Sequence, residues 1–517
     1  MLFAVAILAQ SESAFGQQID PPKTPAFARD NSSAGELERD LTNIFNDPRF
    51  SNATWGVSVQ SVDNGEFLFR LNDGKSLNPA SNFKLLPAAE ALSLLGSDFR
   101  YVTELVSTGR ITSDGTLRGD LVIRGSGDPA LGSAMMSKDT MLASIFDSWA
   151  DSLAHRGVRR IDGSVVGYDG YFTPEYYPSG WEVEDLPYYF AMQSAGLVFN
   201  EDQVSVTVTP GESKGSAALY ELNPSTDYVE VENLGTTKAD SITLKRHKES
   251  DSVIAAGTPS IDITRELGSN TISIKGEIPL HGAAVNQQLS VEDPTLFAAT
   301  LLHEALGEHG IAVLSDVRTS RGWTKPYPFL KARVLASYTS PPLSKIVRAM
   351  NKQSDNLIAE QLFRTVAKEI GGEGSWTKGA EVMKNFLASV EVDTSKIAIA
   401  DGSGLSRMDL ISAGQITKLL SAMRTQPKLF TPFYESLPVM GVDGTLETRL
   451  KSTAAEGNVH AKTGFLTGVR SISGYLTTRD GEMLAFSIIG NNFTTPVREA
   501  SNLQDLVLLR LVNFSRK

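Results

Sequence analysis

An α/β protein interrupted by a β-rich insertion is the fold class that the 517-residue sequence predicts. Three observations carry that expectation. A hairpin signal leads into an almost wholly apolar helix between residues 54 and 92; short strand-like runs broken by Gly, Pro, Asp and Asn fill the region from about 100 to 279; helical periodicity then returns, and the chain closes on strands and an amphipathic helix.

In order, residues 1–16 carry a short apolar run, Leu2 to Ala9, and Ala14-Phe15-Gly16 before Gln17, the pattern of an export signal without a basic start. Residues 17–35 hold Pro21, Pro22 and Pro25 and read as a flexible tether. Leu37, Leu41, Ile44 and Phe45 fall at helical spacing, and Pro48 ends that helix. Trp55, Val57 and Val59 alternate, Asp63-Asn64-Gly65 turns the chain, and Phe67 to Phe69 begins the return strand. Ser81 opens a helix whose Phe83, Leu85, Leu86, Ala88, Ala89, Ala91 and Leu92 leave hardly any polar face, so the helix must be buried. Pro87 removes the bond to the carbonyl of Phe83, and a kink is expected there. Val204 to Val208, Tyr228 to Val231, Ser241 to Leu244 and Thr271 to Ile274 read as strands of the insertion. Helices follow at Leu296 to Ala305 and Leu357 to Ile370, then a strand from Met483 to Ile489. The final helix through Leu503, Val507 and Leu511 lacks a basic face, which favours core packing over membrane binding.

Composition removes several classes of function. A net charge of −12 and a pI near 5.2, with no clustered basic segment, exclude a nucleic-acid or anionic-membrane surface. The absence of cysteine excludes disulfides, thiolate nucleophiles and Cys-ligated zinc, and suits an oxidising compartment. No run approaches the ~20 apolar residues of a transmembrane helix, so the expectation is a soluble or peripheral protein. His303-Glu304 and His309 have the spacing H-E-x-x-x-x-H, which turns the second imidazole off the face of the first. A solvated helix face is the better reading, and neither metal nor cofactor is expected.

The chemistry is carried by an ordered trio: Ser81-Asn82-Phe83-Lys84, Ser354-Asp355-Asn356 and Lys462-Thr463-Gly464. Ser81 and Lys84 lie one turn apart, a hydroxyl and an amine that can take its proton once burial and a second cation, Lys462, depress the amine's pKa. The helix N-terminus also offers the Ser81 N–H to an oxyanion. Ser354 supplies a hydroxyl that can relay a proton between Lys84 and the leaving nitrogen, and Asn356 a carboxamide for the lysine or a substrate peptide group. Lys462 and Thr463 offer a cation and a hydroxyl to a substrate carboxylate. Gly464 permits close backbone approach, and the N–H of Phe465 can complete an oxyanion hole. A second S-x-x-K, Ser375 to Lys378, follows Gly371-Gly372-Glu373-Gly374 and reads only as a helix cap.

With these residues in place, the chain resembles the serine-type D-Ala-D-Ala carboxypeptidases, specifically the class C low-molecular-mass penicillin-binding proteins. Gly125-Ser126-Gly127-Asp128-Pro129, Leu186-Pro187-Tyr188-Tyr189, Asp401 to Arg407, Gly441 to Leu446 and His460 to Gly464 add to the likeness, as does the long interval between Lys84 and Ser354. The resemblance implies a transpeptidase-like, β-lactamase-like domain built from the two chain ends, with a five-stranded antiparallel sheet flanked by helices. It also implies peptidoglycan stem peptides and cross-bridges as substrates, β-lactams as covalent inhibitors, and a periplasmic or exported location. By motif, Asp169 on the insertion and Arg407 would clamp the free end of a diaminopimelate side chain, and Leu466 joins Phe465 in the substrate-binding set. Phe465 stands where a smaller Thr is common, which would narrow the site. The domain boundaries expected are 36–98 and 286–517 for the catalytic domain, 99–199 and 270–285 for the inserted domain, and 200–269 for a second inserted β-rich domain. A β-lactamase and an inactive peptide-binding scaffold are the rival functions.

Overall fold

The computed structural model describes residues 34–136, 144–240 and 257–516, apart from Gly322, Thr324 and Pro326. The export signal, nearly all of the tether and the strand expected at Ser241 to Leu244 lie outside the described residues.

A five-stranded antiparallel sheet forms the catalytic domain, and both ends of the chain build it. Its order is His460–Leu466, Val469–Thr477, Met483–Asn491, Thr54–Ser61 and Phe67–Leu71. Period-two alternation gives the sheet two apolar faces. Leu484, Phe486 and Ile488 turn to one side, where they pack with Leu37, Leu41, Leu503, Val507 and Leu511 of the first and last helices, Ala34–Phe45 and Val497–Val512. Ala485 and Ile489 turn to the other, into a helical layer that includes Leu85–Leu94, Leu343–Gln353, Asn356–Gly371, Trp376–Ser389 and Ala413–Arg424. The last helix is therefore a core element, as its lack of a basic face leads one to expect. Among the described residues no helix is long and apolar enough to cross a membrane.

The expected kink at Pro87 is replaced by a change of helix type. Ala80–Lys84 is a 3-10 turn and the α-helix proper starts at Leu85, so Pro87 is its third residue. The N–H groups of a first turn have no intrahelical acceptor, and the ring therefore removes no bond there.

The insertion departs from its expected boundaries. Thr271–Pro279, placed by sequence with the first inserted domain, pairs with Glu230–Asn233, Thr236–Lys238 and Ser260–Arg265 of the second. Val285–Ser290 pairs with Gln203–Thr209, and Arg333–Thr339 with Val102–Ser107. The helix Pro294–Glu308, expected in the catalytic domain, buries Phe297, Ala298, Leu302 and Leu306 in the insertion's own core beside Leu121, Phe146 and Val165. The inserted strands thus continue to Thr339, and the catalytic helices resume at Leu343. Helical periodicity marks a buried face but does not say which core buries it.

Candidate active site

The site lies where the 3-10 turn, the edge strand His460–Leu466 and the helix Asn356–Gly371 meet. In a 3-10 turn residues three apart eclipse each other, and Lys84 Nζ accordingly lies 3.0 Å from Ser81 Oγ. The turn is entered through Ala80, whose φ of +47° places a non-glycine residue in the left-handed region. Asn78 holds that geometry: its Oδ1 accepts from Ala80 N at 3.0 Å, and its backbone exchanges bonds with the Asn491 carboxamide at 2.9 Å in both directions.

Fully buried Lys84 meets two further acceptors, Asn356 Oδ1 at 2.5 Å and the carbonyl of Ser403 at 2.8 Å. An ammonium group satisfies all three acceptors. A neutral amine keeps two N–H bonds, to Asn356 and Ser403, and turns its lone pair to the Ser81 hydroxyl. Burial lowers the Lys84 pKa to about 8 against the opposing pull of Asp401, Asp355, Glu360 and Asp409.

Burial is the main cause of the shift at Lys84, and the same holds for the second lysine of the site. Lys462, also fully buried, is pushed well below the usual lysine range, first by burial and then by the charge of Lys84. Its Nζ donates to Ser354 Oγ at 2.8 Å and to the Thr463 carbonyl at 2.8 Å. The hydrogen bond to Ser354 thus comes from Lys462, where the sequence reading linked that hydroxyl to Lys84.

Ser354 is in the left-handed region, with φ +62°, at the C-terminus of Leu343–Gln353, and Asp355 caps the next helix by accepting from Ile358 N at 2.7 Å. That junction puts Asn356 on the first turn facing Lys84, while its Nδ2 donates to the Phe190 carbonyl at 2.6 Å. Thr463 Oγ1 meets Thr445 Oγ1 at 2.8 Å, tying the edge strand to the Gly441 to Leu446 motif. A Cβ on Gly464 would lie 2.6 Å from the Pro79 carbonyl and 2.9 Å from Ser81 N, so only glycine lets the strand close on the nucleophile turn. The strand is at the sheet edge, which leaves one row of its backbone groups unpaired within the sheet. Phe465 is 52 % exposed beside it, and Leu466 is half-buried.

Asp169 and Arg407 are not brought together by any contact with each other. The Asp169 carboxylate accepts from Ser320 Oγ at 3.0 Å, Tyr176 Oη at 3.2 Å and Arg321 Nε at 3.4 Å, all within the insertion. Arg407 instead pairs with Glu182 at 2.7 Å, donates to the Thr467 carbonyl at 3.0 Å, and acts on the nearby Asp185. Motif matching located the arginine and missed its acidic neighbours, because the insertion folds back along a loop that carries no periodic signal. Ser375 accepts from Lys378 N at 3.1 Å and is the helix cap expected of it.

Sequence reasoning also missed the acids behind the site. Glu360, four residues after Asn356 on the same helix face, accepts from Gly402 N, Ser403 N and Trp376 Nε1 at 2.7 to 3.1 Å. The helical spacing of Asn356 and Glu360 was the available signal.

Residues 37–510 match the D-Ala-D-Ala carboxypeptidase 3 (S13) family, and the chain belongs to it: a serine-type D-Ala-D-Ala carboxypeptidase family within the class C low-molecular-mass penicillin-binding proteins. A D-alanyl-D-alanine carboxypeptidase of Actinomadura sp. (strain R39) is 34 % identical over 505 residues, covering 95 % of this chain and 87 % of that protein. One from Haemophilus influenzae is 27 % identical, covering 91 % and 90 %. The crystal structure of penicillin binding protein 4 from Haemophilus influenzae superposes with a TM-score of 0.75 at 24 % identity, covering 91 % of this chain and 97 % of that one. A second crystal structure of that protein, complexed with a β-lactam, superposes with a TM-score of 0.70 over the same shares.

Proposed function

We propose that this protein is a D,D-carboxypeptidase with D,D-endopeptidase activity on peptidoglycan stem peptides and cross-bridges, working outside the cytoplasmic membrane through an acyl-enzyme on Ser81. The observation that carries the reading is the 3.0 Å contact between Lys84 Nζ and Ser81 Oγ, with the remaining lysine donors occupied by Asn356 and Ser403.

In this reading neutral Lys84 takes the Ser81 proton as Oγ attacks the carbonyl carbon of the penultimate D-Ala. The N–H groups of Ser81 and Phe465 receive the oxyanion. Collapse breaks the peptide C–N bond, and the leaving nitrogen takes the proton that Lys84 gained from Ser81, relayed through the Ser354 hydroxyl that Lys462 holds in place. The substrate's terminal carboxylate faces Lys462 and Thr463. Water then hydrolyses the ester and returns Ser81. A β-lactam carbonyl is attacked in the same way, and the β-lactam complex of the Haemophilus protein supports this. For the zwitterionic end of a diaminopimelate side chain, Arg407 stays the carboxylate partner. Asp169, its carboxylate held by Ser320 Oγ at 3.0 Å, is the ammonium partner, and Glu182 and Asp185 flank Arg407.

Incubation with purified muropeptides, with products read by mass, tests the assignment. The expected products are tetrapeptides and free D-Ala from pentapeptide monomers, and monomers from D,D-cross-linked dimers. Intact substrates would leave the scaffold reading, and rapid turnover of a β-lactam without peptide cleavage would leave the β-lactamase reading.

A further inference from the structure

Apart from Ser81, Lys84 has two hydrogen-bond acceptors, and one short stretch of the insertion reaches both. Asn356 turns its oxygen to Lys84 because its Nδ2 is taken by the Phe190 carbonyl at 2.6 Å. The Ser403 carbonyl is aimed by the loop that carries it, which is folded around Glu360 and Asp401. Ser403 N donates to Glu360 at 2.8 Å, Ser403 Oγ to Asp401 Oδ2 at 3.2 Å, and Gly404 N to Asp401 Oδ1 at 2.6 Å. Into that buried Asp401 the insertion sends the indole N–H of Trp181, at 2.8 Å from Oδ2. The stretch is itself fixed to the insertion's own strands: Leu186 O accepts from Arg265 at 3.2 Å and from Ser290 Oγ at 2.6 Å, and Pro187 O accepts from Ser290 N at 3.0 Å.

We propose that segment 181–190 of the insertion is a positioning element for Lys84, acting through Trp181 on the Asp401 loop and through the Phe190 carbonyl on Asn356. The inserted domain is then part of the acylation machinery for every ligand. A domain that only recognised the distal arm of a peptide would affect peptides alone. This inference rests on the proposed role of Lys84 as the base.

Trp181→Phe keeps an aromatic ring beside Tyr177 and removes the donor together with the second ring of the indole. It is expected to slow acylation by a fluorescent penicillin and cleavage of a D-Ala-D-Ala peptide by the same factor, about tenfold, from the loss of a hydrogen bond to a charged group. Trp181→His restores a ring N–H and should recover most of the rate. Both variants lose the bulk of the indole and only the imidazole can donate, so the ratio of their rates, read above about pH 7.5 where the imidazole is neutral, carries the test even where both melt below the wild type. A wild-type acylation rate in Trp181→Phe would overturn the inference, as would a loss confined to the peptide. Retained acylation in Lys84→Ala would remove the underlying reading instead, and the inference with it.

Discussion

Burial weakens the hold of Lys84 on its proton, while Asp401, Asp355, Glu360 and Asp409 strengthen it, and the balance lies at about 8. Only the neutral amine can accept the Ser81 proton. As pH falls below 8 the neutral fraction drops about tenfold per unit, so acylation should rise toward alkaline pH and level off above about 8. Stopped-flow acylation across pH 6 to 10 measures this, and a flat profile would contradict it. Lys84→Arg, charged at every accessible pH, should lose as much as Lys84→Ala, at least about a thousandfold. The residues proposed to react could be picked out of the sequence because each is a chemical type at a fixed spacing. Their supports could not. Asn78 and Asn491 exchange hydrogen bonds across 413 residues and Trp181 bonds Asp401 across 220, and no local pattern encodes such contacts.

The hairpin at Asp63-Asn64-Gly65 and the apolar helix after Ser81 were readable from period and turn chemistry alone, because both are decided by neighbours in sequence. The split into a 3-10 turn and an α-helix was not. It goes with the left-handed Ala80 and with the close approach of the edge strand, where a Cβ on Gly464 would lie 2.6 Å from the Pro79 carbonyl. Gly464→Ala forces a methyl against Pro79 and the Ser81 N–H, so the penicillin acylation rate should fall by about a hundredfold or more, with secondary structure kept by circular dichroism. Ser375→Ala offers the converse at another S-x-x-K. It removes a helix cap worth about 1 kcal/mol, and should lower the denaturation midpoint while leaving the labelling rate unchanged.

Across the whole molecule, strands between residues 102 and 339 form their own sheets and core, and return to the catalytic domain through the loop that carries Trp181, Glu182 and Phe190. The insertion was visible in sequence as a change of character, yet its boundaries were not. Val285–Ser290 and Arg333–Thr339 find partners roughly 80 and 230 residues earlier in the chain, pairings that the alternation of one strand cannot specify. Arg407→Ala removes a cation that bonds both domains, Glu182 on one and the Thr467 carbonyl on the other. It should slow cleavage of a diaminopimelate-containing peptide at least about tenfold more than it slows acylation by penicillin, as steady-state rates on the two ligands would show. Equal losses would make Arg407 a support of the fold. The central claim is that one serine of this sheet-edge site is the nucleophile, and mass mapping of the penicillin adduct tests it most directly. The adduct is expected on the peptide containing Ser81 at one per chain and should vanish in Ser81→Ala. An adduct on the Ser375 peptide, or one that survives Ser81→Ala, would contradict the account.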